Sequence, residues 1–255
     1  MRVRGYGSSM TRSIFGFALL LAACSSSSSP ATPAQDAGSD SGGSADSAPG
    51  TMKEFGRVID FGTKKALSGA TIAANGQTAT TGADGKWSLS FPIGTPVRPR
   101  ISLDGYVVVH LPEEMSDADN DRADLPIPDL MTFQLAQFAQ RGYDLTKASI
   151  SVAVDKMPSC MSTGGATLKV ISPPGASVEY FSAGFPTTTA SAIVDGEVPA
   201  VTVYNLEPGV ELVFELSHPT CKQVPYPVKV GSMTITGKVT TEAGNVNSVF
   251  VMYMQ

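Results

Sequence analysis

Lys86-Trp87-Ser88-Leu89-Ser90-Phe91 decides the fold class of this chain. Trp87, Leu89 and Phe91 share one face at the two-residue period of a strand, and Lys86, Ser88 and Ser90 share the other. The pattern predicts a half-buried strand whose aromatic face looks into a core. It makes Trp87 a core residue, the functional alternative being a sugar-stacking platform. Asp84-Gly85 turns the chain into this strand, and Pro92 and Gly94 stop it. Upstream, Gly56 to Asp60 alternates weakly. Ala70 to Ala74 closes on Asn75-Gly76, the strongest short hairpin signal, and Gln77 to Thr81 pairs back. Downstream, Val97 to Leu103, a turn at Asp104-Gly105 and Tyr106 to Leu111 continue the series. Short strands separated by Gly/Asp turns predict an all-β sandwich or barrel.

These residues also carry a family resemblance. Gly56-x-Val58-x-Asp60, Leu67-Ser68-Gly69-Ala70-Thr71-Ile72, Thr81-x-x-Asp84-Gly85-Lys86-Trp87-Ser88-Leu89, Pro92-x-Gly94 and Asp104-Gly105-Tyr106 resemble the carboxypeptidase regulatory-like domain in order and spacing. The resemblance covers residues 54 to about 111. It implies a transthyretin-like β-sandwich that is a non-catalytic module of enzymes, transporters and surface proteins. It brings no active-site residues.

Residues 112 to 127 read as acidic and irregular. Asp129 to Ala139 reads as a linking helix. Met131, Leu135 and Phe138 recur at helical spacing, Pro128 suits the start and Gly142 the stop. Met131, Phe133 and Leu135 also alternate, so a strand is the rival. From Ser149 strands return: Ile150 to Val154, Ala166 to Ile171, Ser177 to Phe181, Ser191 to Val194, Val201 to Leu206, Val210 to Leu216, Val228 to Thr236 and Ser248 to Tyr253. The expected architecture is all-β: two β-sandwich domains, the first transthyretin-like, joined by a short helix. Its parts are residues 53–115 (first sandwich), 116–147 (acidic linker and helix) and 148–255 (second sandwich).

The N-terminal part sets the location. Arg2, Arg4 and Arg12 precede an apolar run from Ile14 to Ala23, and Leu21-Ala22-Ala23 ends in small residues. A basic start, a short apolar middle and small residues before a cut describe a secretory signal peptide. The run is about half of what a membrane span needs. Followed by Cys24, it resembles the lipobox of bacterial lipoproteins. That resemblance implies cleavage after residue 23, acyl chains such as palmitate on Cys24, and a permanent membrane anchor. With Ser25 next, it implies the outer membrane if the cell is Gram-negative. Residues 24–52 are rich in Ser, Ala, Gly, Pro and Asp. Residues 25 to 50 hold no aromatic or large aliphatic side chain, and they read as a disordered tether with a reach of about 30 Å.

The whole chain has 18 Lys+Arg and 23 Asp+Glu. Cleavage removes three arginines and leaves 15 bases against 23 acids, a net charge of −8. That opposes nucleic acid as a partner. Cys160 and Cys221 form an even pair in an exported chain and are expected to join, with a chain-entropy contribution of about 4 kcal/mol. The alternative is a metal or redox pair.

Other chemistry is sparse. His110-Leu111-Pro112-Glu113 is an H-x-x-E, and with His218 it would make a zinc hydrolase triad. Against that stand Pro112 inside the motif and the lack of a large α/β domain. Asp117, Asp119, Asp121 and Asp124 could form a loose calcium site. Arg122 and Pro128 stand where an EF-hand needs Gly and Glu, so that motif is absent. No G-x-S-x-G occurs. Tyr180, Phe181 and Phe185 could form a ligand patch or be strand ends. The expectation is a lipid-anchored, non-catalytic envelope protein without cofactor, whose partners are the membrane and an envelope polysaccharide or protein. The alternative is a carbohydrate- or peptide-binding accessory of a transporter or secreted enzyme.

Overall fold

In the computed structural model, which describes residues 50–132, 142–172, 176–182 and 185–255, strands dominate as the alternation predicts. The first half holds β1 (Thr51–Asp60), β2 (Thr71–Ala74), β3 (Gln77–Thr80), β4 (Lys86–Pro92), β5 (Arg100–Ser102), β6 (Val108–His110), β7 (Glu114–Ser116) and β8 (Asn120–Ile127). The β2–β3 hairpin turns on Asn75 and Gly76 with φ of 48° and 77°. Two left-handed residues make the tight turn that matches strand twist. Trp87, Leu89 and Phe91 of β4 are buried and the residues between them exposed. They join Met52, Val58, Ile72, Val97, Ile101 and Ile127 in one core. Strands β4-β1-β8 form a three-stranded sheet beside β6-β5-β2-β3, part of a larger sheet.

Residues 112–127 are not irregular. They contain β7 and β8, and β8 runs parallel to β1 from Glu54↔Asn120 to Asp60↔Ile127. Composition concealed the strand. Its exposed positions carry Asp121 and Asp124, and the buried Asn120 stands where an apolar residue would have given the alternation away. The expected helix from Asp129 to Ala139 lies mostly outside the described residues. Its first turn is seen, where the Asp129 carboxylate accepts the Thr132 N–H at 2.8 Å, an N-cap contact.

The second half holds β9 (Ala148–Lys156), β10 (Thr167–Ser172), β11 (Ser177–Ser182), β12 (Phe185–Thr187), β13 (Ala200–Leu206), β14 (Val213–Ser217), β15 (Val228–Val230), β16 (Met233–Ile235) and β17 (Val246–Met254). The β10-β14 pair contributes Leu168, Phe214 and Leu216 to a core with Ile150, Val152, Phe250, Met252 and Met254. Two expected strands differ. Ser191 to Val194 is a loop, tied by Ile193 N–H to the Ala166 carbonyl at 2.9 Å. Val228 to Thr236 is a hairpin, β15–β16, because Gly231 at φ 61° turns the chain back.

The halves share one sheet of nine strands, ordered β12-β11-β13-β9-β17-β6-β5-β2-β3. Strand β17 lies between β9 and β6 and is parallel to both. A second seam pairs β7 with β16. Between the seams, the Arg100 guanidinium and the His110 ring meet Glu242 at 3.3 and 2.9 Å. Burial pushes the His110 imidazole below its ordinary value, against the hydrogen bond to Glu242.

Phe250 of β17 packs on Phe214 and Tyr226 at ring distances of 5.8 and 5.3 Å. Phe250→Ala is expected to cost about 3–5 kcal/mol of unfolding free energy. Urea denaturation followed by tryptophan fluorescence checks this and also reads the coupling of the halves. Trp87, the sole tryptophan, sits in the first-half core and should report the loss.

Candidate functional site

The densest group of charged side chains inside the first half is carried by β1, β7 and β8. Along β1 the inward positions are Met52, Glu54 and Val58, so the alternation that buries the two apolar residues also buries Glu54. Along β8 the same parity turns Asn120 and Arg122 inward. Arg122 Nε lies 2.7 Å from Glu54 Oε2, and its Nη1 lies 2.8 Å from Glu114 Oε2. Asn120 Nδ2 donates to Glu54 at 3.1 Å and to Glu114 at 3.2 Å. The side chains of Arg122 and Glu54 are 6 % and 0 % exposed. Burial pushes the Glu114 carboxyl above its usual range, Arg122 pulls it down, and the nearby Glu54 adds to the rise.

This arrangement neutralises and aligns; it presents no nucleophile. One guanidinium serves two carboxylates, and the amide of Asn120 bridges them. Its chemical result is a polar lock holding three strands. Ala123, next in β8, has φ of 53°, and the β1–β8 register shifts between Phe55 and Arg57. The bulge falls beside Arg122 and re-aims the strand after it.

Lys53, Phe55, Lys86, Trp87 and Asp119 line an open groove of about 610 Å³ on this half. Trp87 is buried, as a core residue should be.

The zinc triad does not form. His110 bonds Glu242, Glu113 accepts the Thr236 hydroxyl at 2.6 Å, and His218 Nε2 lies 2.8 Å from the Gly164 carbonyl. Among the described residues these three do not cluster. The aspartates do not converge either, since strand alternation and separate partners spread them. Asp119 accepts the Lys53 N–H at 2.8 Å, and Asp121 accepts the Ala123 N–H at 2.8 Å. Asp124 forks with Arg57 at 2.8 and 2.6 Å, and that hydrogen bond holds its carboxyl below the usual range. Asp117 lies 3.6 Å from Lys229. Cys160 and Cys221 are joined as a disulfide. Tyr180 and Phe181 are buried strand residues rather than an exposed patch, and the side chain of Phe185 and all of Cys24 lie outside the described residues. Sequence reading missed Glu54, Glu114, Asn120 and Arg122. The available signal was a charged residue at an inward position of β1.

No family model matches the chain, and no curated protein matches it. Solved structures with detectable similarity include a cohesin–X-dockerin complex from Acetivibrio cellulolyticus, at 15 % identity and TM-score 0.26, covering 30 % of this chain and 56 % of that one. The Bacillus anthracis TIE protein is 11 % identical with TM-score 0.26, over 80 % of this chain and 34 % of that one. The major pilin of Streptococcus pyogenes is 12 % identical with TM-score 0.23, over 81 % and 98 %. The chain spans less than two thirds of the first two.

Removing Arg122 leaves two carboxylates buried without a cation. Arg122→Ala should cost about 3–5 kcal/mol near neutral pH. The Glu114 carboxyl has a raised pKa, so its favourable share is present below the ordinary carboxylate value of about 4.3 and is lost as pH rises through the raised one. Glu114→Gln should therefore gain stability relative to the unaltered protein as pH rises. Urea midpoints measured across that range check both expectations.

Proposed function

We propose that this chain is a lipid-anchored, non-catalytic protein of the cell envelope that displays β-sandwich modules for binding or for a structural role. The observation that carries the proposal is Leu21-Ala22-Ala23-Cys24 followed by a tether of small polar residues. Acylation at Cys24 and cleavage before it would leave the folded body about 30 Å from the bilayer. No helix among the described residues is long and apolar enough to cross a membrane. The all-β body supports a display role. Its densest buried charged group in the first half is a strand lock, and the histidines and acids expected to form a metal site are each taken by separate partners. On this reading residues 53–115 are a carboxypeptidase regulatory-like module, residues 148–255 a second sandwich, and outer-membrane placement follows in a Gram-negative cell.

Mass spectrometry of the protein extracted from native envelope tests the anchor. The expected N-terminal peptide begins at Cys24 and carries acyl chains. Cys24→Ser should move the protein from the membrane fraction to the soluble exported fraction or leave it as the uncut precursor. An unmodified thiol at Cys24 in mature protein would refute the anchor.

A further inference from the structure

The corner where the second half is cross-linked sets a histidine beside the two joined cysteines. Cys160 follows β9, and Cys221 follows β14 with His218 three residues before it. One ligand atom from each of Cys160, His218 and Cys221 lies within 4.8 Å of the others, the one such group of three found among the described residues. The imidazole is already oriented. Its Nε2 is 2.8 Å from the Gly164 carbonyl, which fixes the proton there. Nδ1 therefore carries the lone pair, which accepts the Cys221 and Thr220 N–H groups at 3.0 and 3.1 Å. A ring N–H held by a backbone carbonyl is the usual outer support of a metal-bound histidine, and it leaves Nδ1 as the nitrogen a metal could take from its two N–H partners. His218-Pro219-Thr220-Cys221 also puts two residues between ligands, a spacing found in structural zinc sites. Cys160 is buried, Cys221 nearly so and His218 partly so, which leaves one side of the group open to a water ligand.

We propose that in the dithiol form Cys160, Cys221 and His218 bind one zinc-like divalent cation. Each thiol releases a proton to solvent, and each thiolate gives an electron pair to the metal. The neutral imidazole adds the Nδ1 pair, the ion taking the place of the two N–H contacts there. A water completes the tetrahedron. The disulfide and the metal are mutually exclusive. A disulfide-class oxidant takes two electrons from the thiolates and two protons from solvent, is itself reduced to a dithiol, and the ion leaves as the S–S bond forms. A dithiol reductant reverses this, supplying two electrons and two protons and departing as its own disulfide. The corner thus has two alternative staples, one available before oxidation and one after.

The test uses the full chain carrying Cys24→Ser, so that no third thiol contributes. It is reduced with a phosphine, checked for retained strand signal by circular dichroism, and titrated with cobalt(II) and then zinc(II). The expected result is one equivalent of cobalt with thiolate-to-metal charge-transfer absorption, displaced by zinc, and no such absorption in the oxidised protein. His218→Ala should weaken cobalt binding by at least about tenfold, since loss of outer support alone costs that much. A reduced, folded protein without charge-transfer absorption would overturn the proposal. So would equal binding by the oxidised protein, or an unchanged affinity in His218→Ala. If the alanine variant does not fold, the comparison of reduced with oxidised protein still decides.

Discussion

The hydrogen-bonded ladder of β17 between β9 and β6 is the constraint on which the rest of the molecule depends. It is the sole strand contact joining the two halves of the nine-stranded sheet. Its two faces serve different cores. Phe250, Met252 and Met254 enter the large core of the second half. Val251 and Tyr253 enter a smaller one with Val228 and Ile235 of the β15–β16 hairpin, and Val249 packs against the first-half core. A strand buried on both faces loses its alternation and reads as an unbroken apolar run, which is how Val249 to Met254 reads.

The polar lock in the first half answers a different need. An apolar trio of similar volume would be as stable as Glu54, Glu114 and Arg122, because desolvating three charges offsets their attraction. What charge adds is register. A parallel strand one residue out of place would turn Arg122 to solvent and leave two carboxylates inside without a cation. Strand β8 carries large apolar side chains only at its end, Leu125 and Ile127, so the charges set the position of its first half against β1. The lock also carries Glu114, whose strand pairs with β16, so the alignment of β1 and β8 is linked to the second seam between the halves.

Much of the fold was legible because local chemistry and tertiary environment agree. Asn75-Gly76 specifies its turn without outside help, and the Trp87-Leu89-Phe91 face needs only a core to meet. Where burial is two-sided or polar, the pattern fails. Strand β8 was hidden because acids on the solvent side and Asn120 and Arg122 on the inner side fill its first half, leaving only Leu125 and Ile127 to alternate at its end. The H-x-x-E at His110, weighed against in the sequence because of Pro112 and the lack of a large α/β domain, forms no metal triad. His110 ends β6 and meets Glu242, and Glu113 lies in the connection to β7 and meets Thr236. The lock itself joins residues more than sixty apart, and only the parallel pairing of β1 with β8 brings them together. The sequence offers Glu54 at an inward position of β1, but only that pairing supplies its partners.

The position of β17 also bears on how the chain acquires its shape in time. A polypeptide made or threaded across a membrane from its N-terminus presents residues 246–254 after everything else described here. Until they arrive, β9 and β6 each lack a neighbour, the large core lacks Phe250, Met252 and Met254, and the halves meet as a sheet through β7 and β16 alone. The large core of the second half and the nine-stranded sheet therefore close only when this late strand is laid between its two neighbours.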